Sequence, residues 1–483
     1  MRIFDIVVIG GGITGTAVAR LAARNGYTCA LLERGDLASG TSSVSSHMLH
    51  GGLRYLEHGR LGLVREALAE RAIVSRMAPS LARPQRFLVP LYRGDRVRPW
   101  KLRLGLQAYD WLAGPQSFAP HGMVGRKEAL AIAPDLEPDG LRGAGLYTDV
   151  VVDDAHLVIA VARDAATHGA EIHVYTEFTS ARPLGGGAIE LLAHGEDGGP
   201  RSFAGRVIVN ASGPWADQVR HLLSRSLHPG AREPAPLLRP SRGTHLVYPR
   251  LTRGHGLLLS ARADGRVFFV VPFGAHSLVG TTEVEVSSPP PVSSWIPTLD
   301  EVRYLSEELR RALSGRSIGP ALAVYSGLRP LLRSDDEVGR ASREHRLVQE
   351  GEVFTIAGGK YTTFRVMARD VLEGVQRSLG REGRPIRDAA VLLPAPLPAG
   401  AGLECRARFA VEHEFARRVE DVVRRRSTLW LEPDRGRLAA PRIAAVMAEL
   451  LGWSAERTDD EFQRYDNALW EEEALLQRAR EDR

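Results

Sequence analysis

Lys360 stands in a Gly-Gly-Lys turn and is one of only three lysines in the chain, with Lys101 and Lys127, against 60 arginines. Arginine and lysine interchange on a solvated surface but not where a compact cation must fit. Lys360 is therefore read as a site cation. His245, in GTHLVYP, and His50, in LHGG, carry the side chain that exchanges a proton near neutrality, although a lone histidine is as readily a satisfied structural group. Thr281 and Thr282, at the strand end VGTTEV, either offer hydroxyls to a ligand or simply favour the strand. Asp153 and Asp154 look like paired catalytic carboxylates, yet they precede AHLVIAVARDAA, where an aspartate N-cap is expected. His47 and His50 have a ligand-like spacing but no third ligand beside them, so no metal site is expected.

These residues need elements to hold them. FDIVVI is a short apolar strand; Gly10, Gly11, Gly12 and Gly15 follow it, then an Ala-rich helix and a second strand, YTCALLE, ending at Glu33. Such a strand–glycine loop–helix–strand unit binds a dinucleotide. Its glycines let the pyrophosphate reach the backbone, the helix N-terminus faces the phosphates, and the acid accepts from a ribose hydroxyl. The pattern alone leaves FAD and NAD both open. Residues 39–55, SGTSSVSSHMLHGGLRY, form a hydroxyl- and glycine-rich segment suited to hydrogen-bonding a ligand. HLVIAVARDAATHG reads as a helix and IHVYTEF as a strand. RVIVNASGPWA and VFTIAGGKYTTFRVMARDVLEGV each run from a strand into a glycine turn, suggesting one domain built from separated parts.

Taken in order, DIVVIGGGITGTAVA, TSSVSSHMLHGGLRYLEHG, LVREALAER, VVDDAHLV, NASGPWA, GTHLVYPR, VFFVVPF, LVGTTEVE, YSGLRPLL and FTIAGGKYTTFR resemble the FAD-dependent, quinone-linked glycerol-3-phosphate dehydrogenases of aerobic respiration. The tail, with VEDVVRRRSTLWLE and AELLGW, resembles that family's C-terminal region more loosely. Two departures stand out: His47 occupies a position associated with lysine, and NASG replaces the more usual NATG.

The resemblance implies an α/β fold: a glutathione-reductase-type FAD-binding domain, an antiparallel-sheet substrate domain and a C-terminal helical domain. The FAD-binding part would be discontinuous, at 1–85, 146–225 and 320–385, with the substrate domain at 86–145 and 226–319 and the helical domain at 386–483. The implied activity is oxidation of sn-glycerol 3-phosphate at C2 to dihydroxyacetone phosphate, with hydride passed to noncovalent FAD and electrons to a membrane quinone. Oxygen as acceptor, or an amine or amino-acid substrate, are the rival activities on the same scaffold. Arg329, Lys360, His245 and His50 would be catalytic, and Arg54, Tyr55, Thr281 and Thr282 would bind substrate, because a phosphate dianion calls for guanidinium forks. The cofactor would be held by Gly10, Gly12, Gly15, Glu33, Thr41, Ser42, Ser43, Ser46, Ala211, Gly213, Gly358, Gly359 and Thr362. The helix after the AGG turn at 357–359 would point its positive end at the reduced flavin.

Composition narrows the setting. The 483 residues contain no apolar run long enough to span a membrane, and the two cysteines, Cys29 and Cys405, exclude a disulfide framework and a CxxC motif. No secretory signal opens the chain, so a cytoplasmic location is expected, with peripheral attachment to the inner face of the membrane. Residues 401–483 hold 15 basic and 18 acidic side chains, which places a net +8 on the first 400. Without a nucleic-acid motif, that charge suits small anions or an anionic lipid surface, and no nucleic-acid partner is expected. The segment 92–112 groups Arg93, Arg96, Arg98, Lys101 and Arg103 with Trp100, Tyr109 and Trp111. It reads either as an interfacial helix with Leu102, Leu106 and Tyr109 toward lipid or as a basic loop leading into a half-buried helix. Pro-rich 385–398 reads as a linker, helical periodicity at 404–425 and 440–478 follows, and Arg424, Arg425 and Arg426 read as a solvated helix face. Oligomeric state is not legible; a homodimer is one arrangement left open.

Overall fold

The computed structural model describes residues 1–291, 295–333, 344–388, 390–398 and 400–481, without the side chains of Arg54, Glu57 and His58. Strand Ile3–Ile9 lies near the middle of the first sheet, parallel to Pro200–Asn210 on one side and Cys29–Leu32 on the other. Val353–Gly358 and Glu171–His173 extend this parallel core outward. An all-apolar run such as FDIVVI suits a strand covered on both faces, and Ile6, Val7 and Val8 are fully buried. One face carries helices Ile13–Arg24, Asp154–Thr167 and Phe364–Ser378; the other carries Leu223 and the hairpin Glu177–Leu184/Ala188–His194. The reading of IHVYTEF as one strand is corrected. Tyr175 has φ +49°, and this left-handed residue divides the stretch into Glu171–His173 and Glu177–Leu184.

The second sheet is antiparallel except where Gly256–Ser260 runs parallel to Ala82–Tyr92. Its strands include Ser241–Pro249, Val267–Phe273, His276–Gly280, Leu141–Val152 and Ala323–Arg329. Residues 82–85, 146–152 and 323–329 thus run in this sheet. Helix Leu299–Ala312 covers one face. The C-terminal helices Leu403–His413, Val419–Arg425, Ala440–Leu451 and Ala455–Glu481 pack on the other, where Ala407, Val422, Met447 and Tyr465 share one core with Val247, Leu278 and Tyr325.

Of the two readings of 92–112 the half-buried helix is the one observed, and the solvated reading of the arginine run is corrected. In helix Pro99–Ala113, Leu102, Leu106 and Tyr109 face the protein core, while Trp100, Leu104 and Trp111 stand outward, 64%, 55% and 77% exposed. The apolar stripe is thus a packing face, and a different set of residues meets the outside. Arg425 and Arg426 are buried, because their partner Asp36 comes from the other end of the chain.

Candidate active site

The first strand ends in Gly10, whose N–H donates to the Leu32 carbonyl at 2.8 Å, while Ala211 N–H donates to the Ile9 carbonyl at 2.9 Å. Three adjacent strand ends, carrying Gly10, Glu33 and Ala211, are thereby brought level. At Gly15 a Cβ would stand 1.9 Å from the Gly10 carbonyl oxygen, so only glycine allows the helix to start this close to the strand. Gly12 is the N-cap of that helix and offers no side-chain cap; Ile13 N–H donates to Ser42 Oγ at 3.0 Å. Glu33 accepts from Gly11 N–H at 2.6 Å and Gly35 N–H at 2.8 Å. Burial pushes its carboxyl up, although the two amides pull the other way. A glycine cradle opening on a helix N-terminus, with an acid at the next strand end, fits the pyrophosphate and ribose of a dinucleotide such as FAD.

The segment 39–55 lies between the two sheets' contributions. Thr41 Oγ1 donates to the Leu328 carbonyl at 2.6 Å, Ser43 is partly exposed, and Ser46 Oγ lies 2.9 Å from His245 Nε2. Ser45 donates its hydroxyl to Asp154 Oδ2 at 2.7 Å, and His47 Nδ1 lies 3.3 Å from Asp154 Oδ1. Burial raises the Asp154 carboxyl, opposed first by His47. The Asp154 carbonyl in turn accepts from Tyr361 OH at 2.6 Å, so one residue ties the serine loop to the Gly-Gly-Lys turn. Nothing in the sequence separates Asp154 from its neighbour Asp153. It is Asp153 that caps the helix, accepting from His156 N–H at 3.1 Å.

His245 is buried and lies flat against Tyr325, with ring centroids 4.9 Å apart and planes 10° apart. Burial, Arg329 and His47 together hold its imidazole well below the usual range. Arg329 ends the strand paired with Ser241–Pro249; its Nη2 donates to Thr281 Oγ1 at 2.7 Å and to the Thr282 carbonyl at 3.1 Å. A Cβ on Gly243 would stand 2.1 Å from that Nη2, so Gly243 makes room for the guanidinium. The two threonines part company here. Thr281 touches Arg329, whereas the buried Thr282 hydroxyl accepts from Thr244 N–H at 3.0 Å and donates to Glu301 at 2.7 Å.

On the other side, Gly358 and Gly359 have φ +77° and +90°. The turn leads into a short 3-10 segment, Tyr361–Thr363, and only then into helix Phe364–Ser378, so the helix does not open directly at the Gly-Gly pair. Lys360 is buried, with Nζ 3.9 Å from the centre of the Tyr55 ring. His50 N–H donates to the buried Thr362 Oγ1 at 3.3 Å. Gly213 opens the turn Gly213–Trp215 after the NASG strand. Arg54 falls outside the described side chains.

The support under HGGLRY is not legible in the sequence. Tyr109 OH accepts from Gly51 N–H at 2.9 Å and donates to Asp149 at 2.7 Å, and Arg71 pairs with the same carboxylate. No local pattern flags Asp149; its partners lie 40 and 78 residues away.

Residues 5–367 match the family model described as FAD dependent oxidoreductase, and 392–458 match the C-terminal domain of alpha-glycerophosphate oxidase. The chain is 35% identical, in an alignment 537 positions long, to a glycerol-3-phosphate dehydrogenase of Mycobacterium leprae (strain TN), covering 99% of this chain and 90% of the relative. Its fold is similar to that of the Bacillus halodurans glycerol-3-phosphate dehydrogenase solved with FAD, at TM-score 0.76 and 22% identity, over 97% and 95% of the two chains. The Mycoplasma pneumoniae L-alpha-glycerophosphate oxidase, also solved with FAD, is similar at TM-score 0.59 and 18% identity, over 78% of this chain and 95% of that one. The chain belongs to the FAD-dependent glycerol-3-phosphate dehydrogenase and oxidase family.

Proposed function

We propose that this protein oxidises sn-glycerol 3-phosphate at C2 to dihydroxyacetone phosphate and passes the electrons to a membrane quinone. The observation that carries the reading is the Arg329 guanidinium, pinned by Thr281 and Thr282 beside a buried His245. Bound FAD supplies the two-electron acceptor for the hydride from C2.

The chain's own residues do the rest. Gly10, Gly12 and Gly15 admit the pyrophosphate, Glu33 takes the ribose, and Ser42, Ala211, Gly213, Gly358, Gly359 and Thr362 line the remaining contacts. Arg329 and Arg54 bind the phosphate dianion, with Tyr55 and Thr281 completing the pocket. His245, kept neutral by its surroundings and held by Ser46 at Nε2, accepts the hydroxyl proton. Lys360 supplies a fixed positive charge where negative charge gathers during reduction.

Attachment to the cytoplasmic face of the inner membrane is peripheral in this reading. No helix among the described residues is long and apolar enough to cross a membrane. Trp100, Leu104 and Trp111 stand exposed among Arg96, Arg98, Lys101 and Arg103, a combination suited to an anionic lipid surface.

The test is anaerobic mixing of purified protein with glycerol 3-phosphate. The expected result is bleaching of the flavin, with dihydroxyacetone phosphate formed in equal amount, and flavin released on denaturation. Equally efficient bleaching by glycerol would remove the phosphate reading. Peroxide formed in air at the full turnover rate would replace quinone by oxygen as the acceptor.

A further inference from the structure

Loop 33–38 carries Glu33, and its backbone is gripped from within the first sheet. Thr176 N–H donates to the Glu33 carbonyl at 2.7 Å, Tyr175 N–H to the Gly35 carbonyl at 2.9 Å, and Ala38 N–H to the Gly11 carbonyl at 3.1 Å. The loop's second carboxylate, Asp36, points into the C-terminal helices. It is fully buried and pairs with both Arg425 and Arg426, Arg426 Nη2 lying 2.7 Å from Asp36 Oδ1. Arg426 is pinned in turn by the Glu414 carbonyl at 2.6 Å, and Arg425 by Asp421 at 2.8 Å. Asp421 also accepts from Tyr175 OH at 2.7 Å, and the Arg418 guanidinium lies 4.5 Å over the Tyr175 ring. The C-terminal helices therefore hold both the loop and the residue that braces it.

A buried carboxylate costs several kcal/mol unless paired, and removing one partner leaves the other charge uncompensated. Asp36 lies three residues from the acid that meets the cofactor. If it lost its arginines, the carboxyl would take up a proton or the loop would open to hydrate the charge, and either change releases the loop that carries Gly35 and Glu33.

We infer that the C-terminal helical unit is a latch for the cofactor: Arg425 and Arg426 are positioning residues that hold Asp36, and through it the Glu33 loop, in the shape that retains FAD. The proposal gives this unit a role in cofactor retention, and it rests on FAD binding at the glycine cradle.

The experiment compares full-length wild type with Arg426→Met, Arg426→Lys, Arg425→Gln and Asp36→Asn. Each is stripped of flavin and titrated with FAD, following quenching of flavin fluorescence; melting is recorded with and without FAD. The latch requires at least a tenfold weaker FAD affinity in Arg426→Met, partial rescue in Arg426→Lys, and a smaller FAD-induced rise in melting temperature. A merely structural pair would lower both melting temperatures alike and leave FAD affinity unchanged, which would overturn the proposal. Should Arg426→Met fail to fold, Arg425→Gln, at the less enclosed edge, carries the same comparison.

Discussion

Lys360 Nζ lies 3.9 Å above the ring of Tyr55, joining the Gly-Gly-Lys turn to the HGGLRY segment from the opposite end of the chain. An ammonium over an aromatic face gains on the order of 0.5 to 2 kcal/mol, more as water is excluded. The contact fixes the buried ammonium against a ring from the HGGLRY segment.

Replacement of that cation is the first prediction. Lys360→Met should slow anaerobic flavin bleaching by glycerol 3-phosphate most, and Lys360→Arg should slow it substantially while FAD stays bound, because a planar guanidinium does not fit the same turn. Stopped-flow bleaching is the measurement. A wild-type rate in the arginine variant would show that only charge matters.

Arg329→Ala should reduce kcat/KM for the phosphorylated substrate by about 10- to 150-fold, the scale of a charge-assisted bond of about 1.5 to 3 kcal/mol. Gly243→Ala should approach the same loss without touching a charge, since its methyl would displace the guanidinium. Normal kinetics in Gly243→Ala would mean that Arg329 acts from another position.

The pH dependence follows from His245. Burial, Arg329 and His47 hold its imidazole well below the ordinary value of about 6.5, so the folded protein binds fewer protons than the unfolded chain just below that pH. Stability should therefore fall as pH drops from about 6.5 toward the folded pKa. The acid limb of kcat/KM should also lie below about 6.5. Urea midpoints across pH check the first point, and His245→Asn should flatten the part of the decline due to this residue.

Asp149→Ala should destabilise the fold by about 3 to 5 kcal/mol, because it strands the Arg71 guanidinium in the interior. Asp149→Asn should cost less. Chemical denaturation of both variants is the check, and equal losses would point to packing instead of charge.

Membrane binding should depend on the outward face of helix Pro99–Ala113. Trp100→Ser with Trp111→Ser should weaken binding to anionic vesicles at all salt concentrations, whereas Arg98→Glu with Lys101→Glu should weaken it mainly at low salt. Dye-linked turnover provides the control. Unchanged vesicle binding in both variants would move the anchor elsewhere.

What the sequence determined by itself is local in origin. The glycines from Gly10 to Gly15, the strand leading to Glu33 and an aspartate cap at the Asp153–Asp154 pair depend on neighbours within a few turns of chain, so their chemistry is written in adjacent residues. The isolation of Lys360 in an arginine-rich composition was legible for the same reason. Tertiary structure alone decided which partners met across long separations. Ser46 reaches His245 across 199 residues, Thr281 reaches Arg329 across 48, and Arg426 reaches Asp36 across 390. A run of three arginines looks solvated until a buried carboxylate arrives from elsewhere, and a stripe of Leu102, Leu106 and Tyr109 is equally apolar whether it meets lipid or a protein core. Periodicity reports that a face must be covered; only the packed chain supplies what covers it.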